Sequence, residues 1–176
     1  GSTSGAGTLT SVDDPVDEPD ETVIIDVTSI TGATATGTQQ VTATITDDDD
    51  PPTVALSLDN ASIAEDGGVA TFTVTMSAPS LTDTTVNLAV SGTATVTDDY
   101  TISETEVLIA AGATSGSITV TSVADVIITE GGETVVVDID TITGNATEDG
   151  VQQQTATIVD DVNGPDVTIA VDTNTI

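Results

Sequence analysis

The chain has 176 residues, enough for one sandwich-sized domain and part of another. It contains 30 Asp and Glu residues, no Lys, Arg or His, and a formal charge of -30, which argues against nucleic acid or an anionic membrane as a partner. It also has no Cys, and the absence of Cys and His together excludes thiolate and imidazole metal sites. No apolar run is long enough to insert in a membrane.

The first segment of the chain, residues 1–50, recurs further along the sequence. The run from Glu21 to Asp26 (ETVIID) matches the run from Glu133 to Asp138 (ETVVVD), and Val41 to Ile45 (VTATI) matches 154–158 (QTATI). Such self-similarity indicates tandem repeats. We therefore predict that residues 1–50 are the C-terminal half of one repeat.

The next segment, residues 51–162, is predicted to be a complete repeat. Residues 163–176 are predicted to be the first strand of a third repeat, because PDVTIAV near the end repeats PTVALSL at 52–58. Ala70, Phe72, Val74 and Met76 alternate with threonines, and β-branched residues dominate throughout. This pattern predicts an all-β fold: an immunoglobulin-like antiparallel β-sandwich of seven or eight strands per repeat.

Acidic residues gather at predicted loops toward one end of each repeat. In the half repeat these are Asp13, Asp14, Glu18, Glu21, Asp47, Asp48 and Asp49, and in the complete repeat they are Glu65, Asp99, Asp125, Glu130, Glu133, Asp160 and Asp161. Adjacent carboxylates repel one another unless a cation lies between them, and the chain supplies no cation of its own.

Calcium is the ion that such loops suit, because it takes six to eight oxygen ligands in irregular geometry. Magnesium keeps most of its waters and is a weaker competitor. The alternative is that acidic loops merely keep the protein soluble, and this explanation is better for scattered acids such as Asp83, Glu104, Glu106 and Asp140.

Several motifs in order resemble the Calx-β repeat family. They are SIAEDGG at 62–68, SGTA at 91–94, DDYT at 98–101, the run IAAGATSG at 109–116, EGGETV at 130–135 and DDDDP at 47–51. The resemblance implies an immunoglobulin-like sandwich that binds Ca²⁺ at one end. It also implies that all fourteen acids above are calcium ligands.

The complete repeat departs from that family pattern in two places. Ala124 stands where a first loop aspartate is expected, and Val162 stands where a third terminal aspartate is expected. Fewer ligands predict fewer ions or weaker binding in this repeat than in its neighbour.

The composition argues against an enzyme. No His, Cys, Lys or Arg is present to act as base, nucleophile or oxyanion clamp, and the only aromatic residues are Phe72 and Tyr100. Phe72 is predicted to be a core residue, and Tyr100 is predicted to pack beside the acidic loop.

The repeats and the short Asp50-Pro51-Pro52-Thr53 junction predict a rod. We therefore expect an extracellular or cell-surface fibre or adhesin whose Ca²⁺ ions rigidify the junctions between repeats. Its expected partners are calcium and neighbouring repeats or copies, with a surface glycan or protein ligand bound elsewhere in the parent protein. Two alternatives stay open: a filament subunit that polymerises by strand or half-domain complementation between copies, and a calcium-sensor domain of a transporter.

Overall fold

The computed structural model describes residues 4–124 and 131–160. Within these ranges every regular element is a β-strand. In chain order they are β1 (Glu21–Asp26), β2 (Gln40–Ile45), β3 (Thr53–Leu58), β4 (Ser62–Ala64), β5 (Val69–Met76), β6 (Thr84–Gly92), β7 (Tyr100–Ile102), β8 (Glu106–Ile109), β9 (Ser115–Ser122), β10 (Glu133–Thr143), β11 (Thr147–Glu148) and β12 (Gln153–Val159).

Strands β3 to β12 form a sandwich of two five-stranded sheets. One sheet has the order β4-β12-β10-β6-β8 and the other has the order β11-β3-β5-β9-β7. Seven of these strands have four or more residues, in line with the predicted seven or eight. The other three, β4, β7 and β11, have two or three residues each and extend the sheet edges.

The core lies between the two sheets and consists of alternate residues of the long strands. Phe72, Val74, Val120 and Val135 are fully buried, and Met76 is 3% exposed. Alternate side chains of a strand point to opposite faces, so the intervening threonines face away from this core. The all-β sandwich predicted from the alternation is therefore confirmed.

The two ends of the sandwich have different roles, which the strand register defines. The start of β3 lies beside the end of β5, since Val54 pairs with Met76, and the chain enters the sandwich there. The start of β5 lies beside the end of β9, since Val69 pairs with Thr121. We call the first the entry end and the second, from which β12 leaves, the exit end.

Strands β1 and β2 form a separate two-stranded sheet, here called the hairpin. Glu21 pairs with Ile45 in this hairpin, and Glu133 pairs with Ile158 in the sandwich. The two antiparallel pairs therefore share one register, as the sequence match between them predicts.

The described residues contain no helix that is long and apolar enough to cross a membrane.

Candidate metal sites

The exit end of the sandwich brings together acids that are far apart in sequence. β4 runs parallel to β12, with Ala64 beside Val159, so Glu65 and Asp160 leave the sheet side by side. β10 runs antiparallel to β12 and therefore starts at the same end with Glu133. Sheet topology thus places three acids on neighbouring strand ends.

Asp99 reaches the same place from the opposite sheet. It precedes β7, whose first residue Tyr100 pairs with Ser122 at the end of β9. The turn before it is tight: the Asp99 carboxylate accepts a hydrogen bond from the Thr95 amide at 2.5 Å, and Thr97 has a φ of 76°. A β-branched residue rarely adopts this conformation, so local strain accompanies the presentation of Asp99.

A small cavity, here called the sandwich cavity, lies among these strand ends. It is lined by Glu65, Asp99, Gly131, Glu133, Ile158 and Asp160 and has a volume of about 10 Å³. That volume is close to the space that one water molecule occupies. Four of the predicted ligands of the complete repeat therefore share one cavity with room for about one small ion.

Glu65 is the buried member of the group, with 6% of its surface exposed. Its backbone is fixed on both sides, because its amide donates to the Val159 carbonyl and its carbonyl accepts from the Gly67 amide. The Ser122 hydroxyl donates to the neighbouring Ala64 carbonyl at 2.6 Å, which ties this strand end to β9 in the other sheet. The glutamate is thus held by both sheets.

Tyr100, predicted to pack beside the acidic loop, directly follows Asp99 and belongs to the hydrophobic core. It is 3% exposed, and burial, together with the charge of Asp99, raises the pKa of its hydroxyl. Phe72 is fully buried, which confirms its predicted place in the core.

A second and larger cavity, the hairpin cavity, lies at the corresponding end of the hairpin. Its volume is about 360 Å³, and all seven acids predicted for the half repeat line it. They are Asp13, Asp14, Glu18, Glu21, Asp47, Asp48 and Asp49. The Asp20 carboxylate, in the same acidic run as Glu18 and Glu21, accepts a hydrogen bond from the Asp47 amide at 3.1 Å and closes the loop onto the end of β2.

The carboxylates of the hairpin cavity influence one another. Partial loss of hydration raises the pKa of Glu18, and the charges of Asp14, Glu21 and Asp47 raise it further. The pKa of Asp49 is raised in the same way, by lost hydration and by Asp47, Asp48, Asp13 and Asp14. A cation among these groups would relieve both effects.

The donor chemistry of both cavities fits calcium, since carboxylate oxygens line them and the sequence has neither His nor Cys to supply imidazole or thiolate ligands. As they stand, no three acids within residues 4–124 and 131–160 are grouped closely enough to hold a metal ion. Binding would therefore draw the carboxylates inward, against a mutual repulsion that the charge of the ion offsets. The predicted ligands Asp125, Glu130 and Asp161 lie outside the described residues.

The Calx-beta domain family model matches residues 47–162. This chain belongs to the Calx-beta family. It is therefore a member of a calcium-binding domain family, which is not a catalytic one, and the resemblance inferred from the sequence motifs is confirmed.

Two solved structures share the sandwich fold. One is described as the apo form of the Calx CBD1 domain, with a TM-score of 0.53 at 15% identity over 62% of this chain and 99% of that one. The other is CBD12 from CALX1.2, with a TM-score of 0.53 at 16% identity over 62% of this chain and 44% of that one. At such identities the likeness shows the fold alone. A search of curated proteins found no match.

Proposed function

We propose that this chain is a calcium-binding structural repeat of an extracellular fibre or adhesin, in which Ca²⁺ bound in the two cavities stiffens the joints between repeats. The observation that carries the proposal is the convergence of predicted ligands. Four line the sandwich cavity and seven line the hairpin cavity, in a chain without a single basic residue to balance them.

The position of the cavities supports a role at the joints. In the sandwich, the chain enters beside the ends of β5 and β10 and leaves beside Asp160 at the opposite end. Consecutive sandwiches connected in this way follow one another end to end. Each carboxylate cavity then lies at the junction between one repeat and the next.

The connection between hairpin and sandwich is short and anchored. Pro52 is fully buried, and its carbonyl accepts a hydrogen bond from the Thr147 amide at 3.0 Å. The next amide, that of Thr53, donates to the Ser77 hydroxyl at 2.8 Å. Asp49 precedes Pro52 by three residues, so its Cα lies within about 11 Å of that anchor.

A side-chain contact also crosses the joint. The Asn145 amide nitrogen, in the loop between β10 and β11, donates a hydrogen bond to the Asp17 carboxylate at 2.5 Å. Asp17 belongs to the same acidic loop as Glu18, which lines the hairpin cavity. Ordering of that loop would therefore also hold the entry end of the sandwich.

The ion would supply positive charge and shared oxygen coordination. Glu65, Asp99, Glu133 and Asp160 would hold it in the sandwich cavity, and the seven acids of the hairpin cavity would hold it there. The carboxylates would then no longer repel one another, and the loops that carry them would lose conformational freedom. Extracellular modules bind calcium at roughly 10⁻⁴–10⁻³ M, so a calcium-rich medium would fill such sites.

The extracellular location is part of the proposal and rests on composition. The absence of Lys and Arg leaves no peptide bond for trypsin-like proteases, which suits a protein exposed outside the cell.

Calcium titration calorimetry of this chain and of two matched variants tests the proposal. Glu65→Gln removes one charge at a predicted ligand and should weaken the sandwich-cavity site about tenfold or more. Glu104→Gln removes the same charge from the exposed loop between β7 and β8 and should leave the calcium titration unchanged. Absence of binding at millimolar calcium, or equal effects of the two variants, would refute the calcium assignment.

A further inference from the structure

The strands that enter and leave the sandwich run side by side in the same direction. β4 pairs in parallel with β12, and β11 pairs in parallel with the start of β3. Two backbone hydrogen bonds border the β4 ladder. The Thr157 amide donates to the Ala61 carbonyl at 2.9 Å, and the Glu65 amide donates to the Val159 carbonyl at 3.0 Å. The segment that enters the sandwich is therefore bonded directly to the segment that leaves it.

Two glutamine side chains extend this connection along β3. The Leu56 amide donates to Gln152 Oε1 at 3.1 Å, and Gln154 Nε2 donates to the Leu56 carbonyl at 3.1 Å. Leu56 is 3% exposed and lies beyond the two residues of β3 that pair with β11. Buried backbone amides and carbonyls require partners, and here two side-chain amides take the place of a neighbouring strand.

These two glutamines occupy core-facing positions, where apolar residues are usual. Gln152 and Gln154 are half-buried and share the alternation of the buried Ile158. Gln153 between them is exposed, and its side-chain amide donates to the Asp138 carboxylate at 3.2 Å. The two core-facing glutamines thus join β12 of one sheet to β3 of the other, and the outer glutamine does not.

We propose that these bonds form a terminal clamp through which the sandwich resists tension along the chain. The terminal clamp is defined as the hydrogen bonds that residues 56–65 make with residues 152–159. Tension pulls the start of β3 outward at the entry end and the end of β12 outward at the exit end. Because the two segments are parallel and their bonds run across them, tension slides one segment along the other and loads the clamp bonds together.

The clamp adds a mechanical property to the proposed fibre. Its role in bearing tension rests on that proposed function, since only a chain held at both ends experiences such a force. The clamp itself consists of hydrogen bonds within the protein and requires no calcium. The two proposals can therefore be tested separately.

Constant-force unfolding of the 176-residue chain in EDTA, pulled in two geometries, tests the clamp. The chain has no Cys, so handles at Asp50→Cys and Val159→Cys are unique and load the clamp end to end. Leu81 is 58% exposed in the loop between β5 and β6, so handles at Asp50→Cys and Leu81→Cys pull at the entry end only. At equal force, end-to-end unfolding should be about a hundredfold or more slower, because bonds that are loaded together must break together.

The three consecutive glutamines provide matched variants. Gln152→Ala and Gln154→Ala each remove a clamp bond and leave a buried backbone group of Leu56 unpaired, so each should speed end-to-end unfolding about tenfold. Gln153→Ala removes an exposed side-chain bond of the same strand and should leave that rate unchanged. In the entry-end geometry all three variants should have little effect, because the bonds of Pro52 break before those of Leu56.

Three results would overturn the proposal. The first is equal unfolding rates in the two geometries, and the second is equal effects of Gln154→Ala and Gln153→Ala. The third is an effect of Gln152→Ala and Gln154→Ala that is as large in the entry-end geometry as end to end, which would assign the glutamines to general stability. Failure of calcium binding in the calorimetric titration would refute the calcium assignment but would leave these rates in EDTA as expected.

Discussion

At the residue scale, the role of Glu65 as a ligand could be predicted from the local sequence, but its burial could not. It is the only carboxylate within residues 4–124 and 131–160 whose residue is buried. The sequence motif around it resembles the family and so predicted a ligand at this position. Its burial could not be predicted, because it depends on the pairing of β4 with β12, a contact between residues nearly a hundred positions apart.

Gly92 is a second residue whose identity the structure explains. Its φ is 129°, and a Cβ added there would lie 2.0 Å from the Thr134 carbonyl oxygen, on β10. Gly92→Ala should therefore destabilise the sandwich by about 2 kcal/mol or more, through strain and displacement of the backbone pair. Urea unfolding measures this cost.

Gly112→Ala is the matched control, because Gly112 also has a positive φ, of 79°, but has open space around the added Cβ. It should cost only the conformational penalty, roughly 1 kcal/mol. Equal costs for the two variants would show that the close approach at Gly92 is not a constraint.

The raised pKa values of Glu18 and Asp49 predict how the hairpin cavity responds to pH. A carboxyl group whose pKa is higher in the folded protein binds its proton more tightly there. The ionised groups therefore lower the free energy of unfolding at pH values above the raised pKa. This loss is recovered as the pH falls toward the ordinary pKa values, 4.5 for Glu18 and 3.8 for Asp49. Calcium should reverse this trend, because protons compete with it for the same oxygens.

Carbon-13 NMR titration of the carboxyl groups measures this effect. In EDTA, Glu18 should titrate above 4.5, and saturating calcium should move its midpoint downward. A midpoint at or below 4.5 in EDTA would contradict the crowding of charge described for this cavity.

At the scale of elements, the long strands could be predicted and the short ones could not. β5 alternates apolar residues with threonines from Ala70 to Met76, and β9 alternates in the same way around Ile118 and Val120, which is a sufficient signal. β4, β7 and β11 have at most three residues, too few to display a period. The exit-end site depends on two of these short strands, so its geometry could not be derived from the sequence pattern.

Ile63 tests the dependence of the site on β4. It is 5% exposed, pairs with Ile158 and lies two residues before Glu65. Ile63→Ala should destabilise the fold by about 2–5 kcal/mol and, in the folded fraction, weaken calcium binding at the sandwich cavity, because it loosens the strand that presents Glu65.

Ile109→Ala is the control for that variant. Ile109 is 1% exposed and lies in β8 at the far edge of the same sheet, opposite Thr84 at the entry end. It should reduce stability to a similar extent but leave the calcium affinity of the folded protein unchanged. Unfolding curves combined with calorimetry separate the two effects, and loss of affinity in both variants would indicate a general loosening.

At the scale of the whole molecule, two properties combine. A charge of -30 without counter-charges makes every loop cluster dependent on its solution environment. An entry end opposite the exit end makes the chain suited to linear repetition. Composition alone predicted the first property, whereas the second required the register of β3, β5 and β9.

The most direct test of the central claim, that calcium stiffens the joint between hairpin and sandwich, is a distance distribution measured by electron paramagnetic resonance. The chain has no Cys, so spin labels at Thr42→Cys in β2 of the hairpin and Leu108→Cys in β8 of the sandwich, both exposed, would be unique. With calcium the distribution should narrow markedly relative to EDTA, and equimolar magnesium should have little effect. If the distance distribution is equally broad in EDTA, in magnesium and in saturating calcium, the claim that calcium stiffens the joint is contradicted.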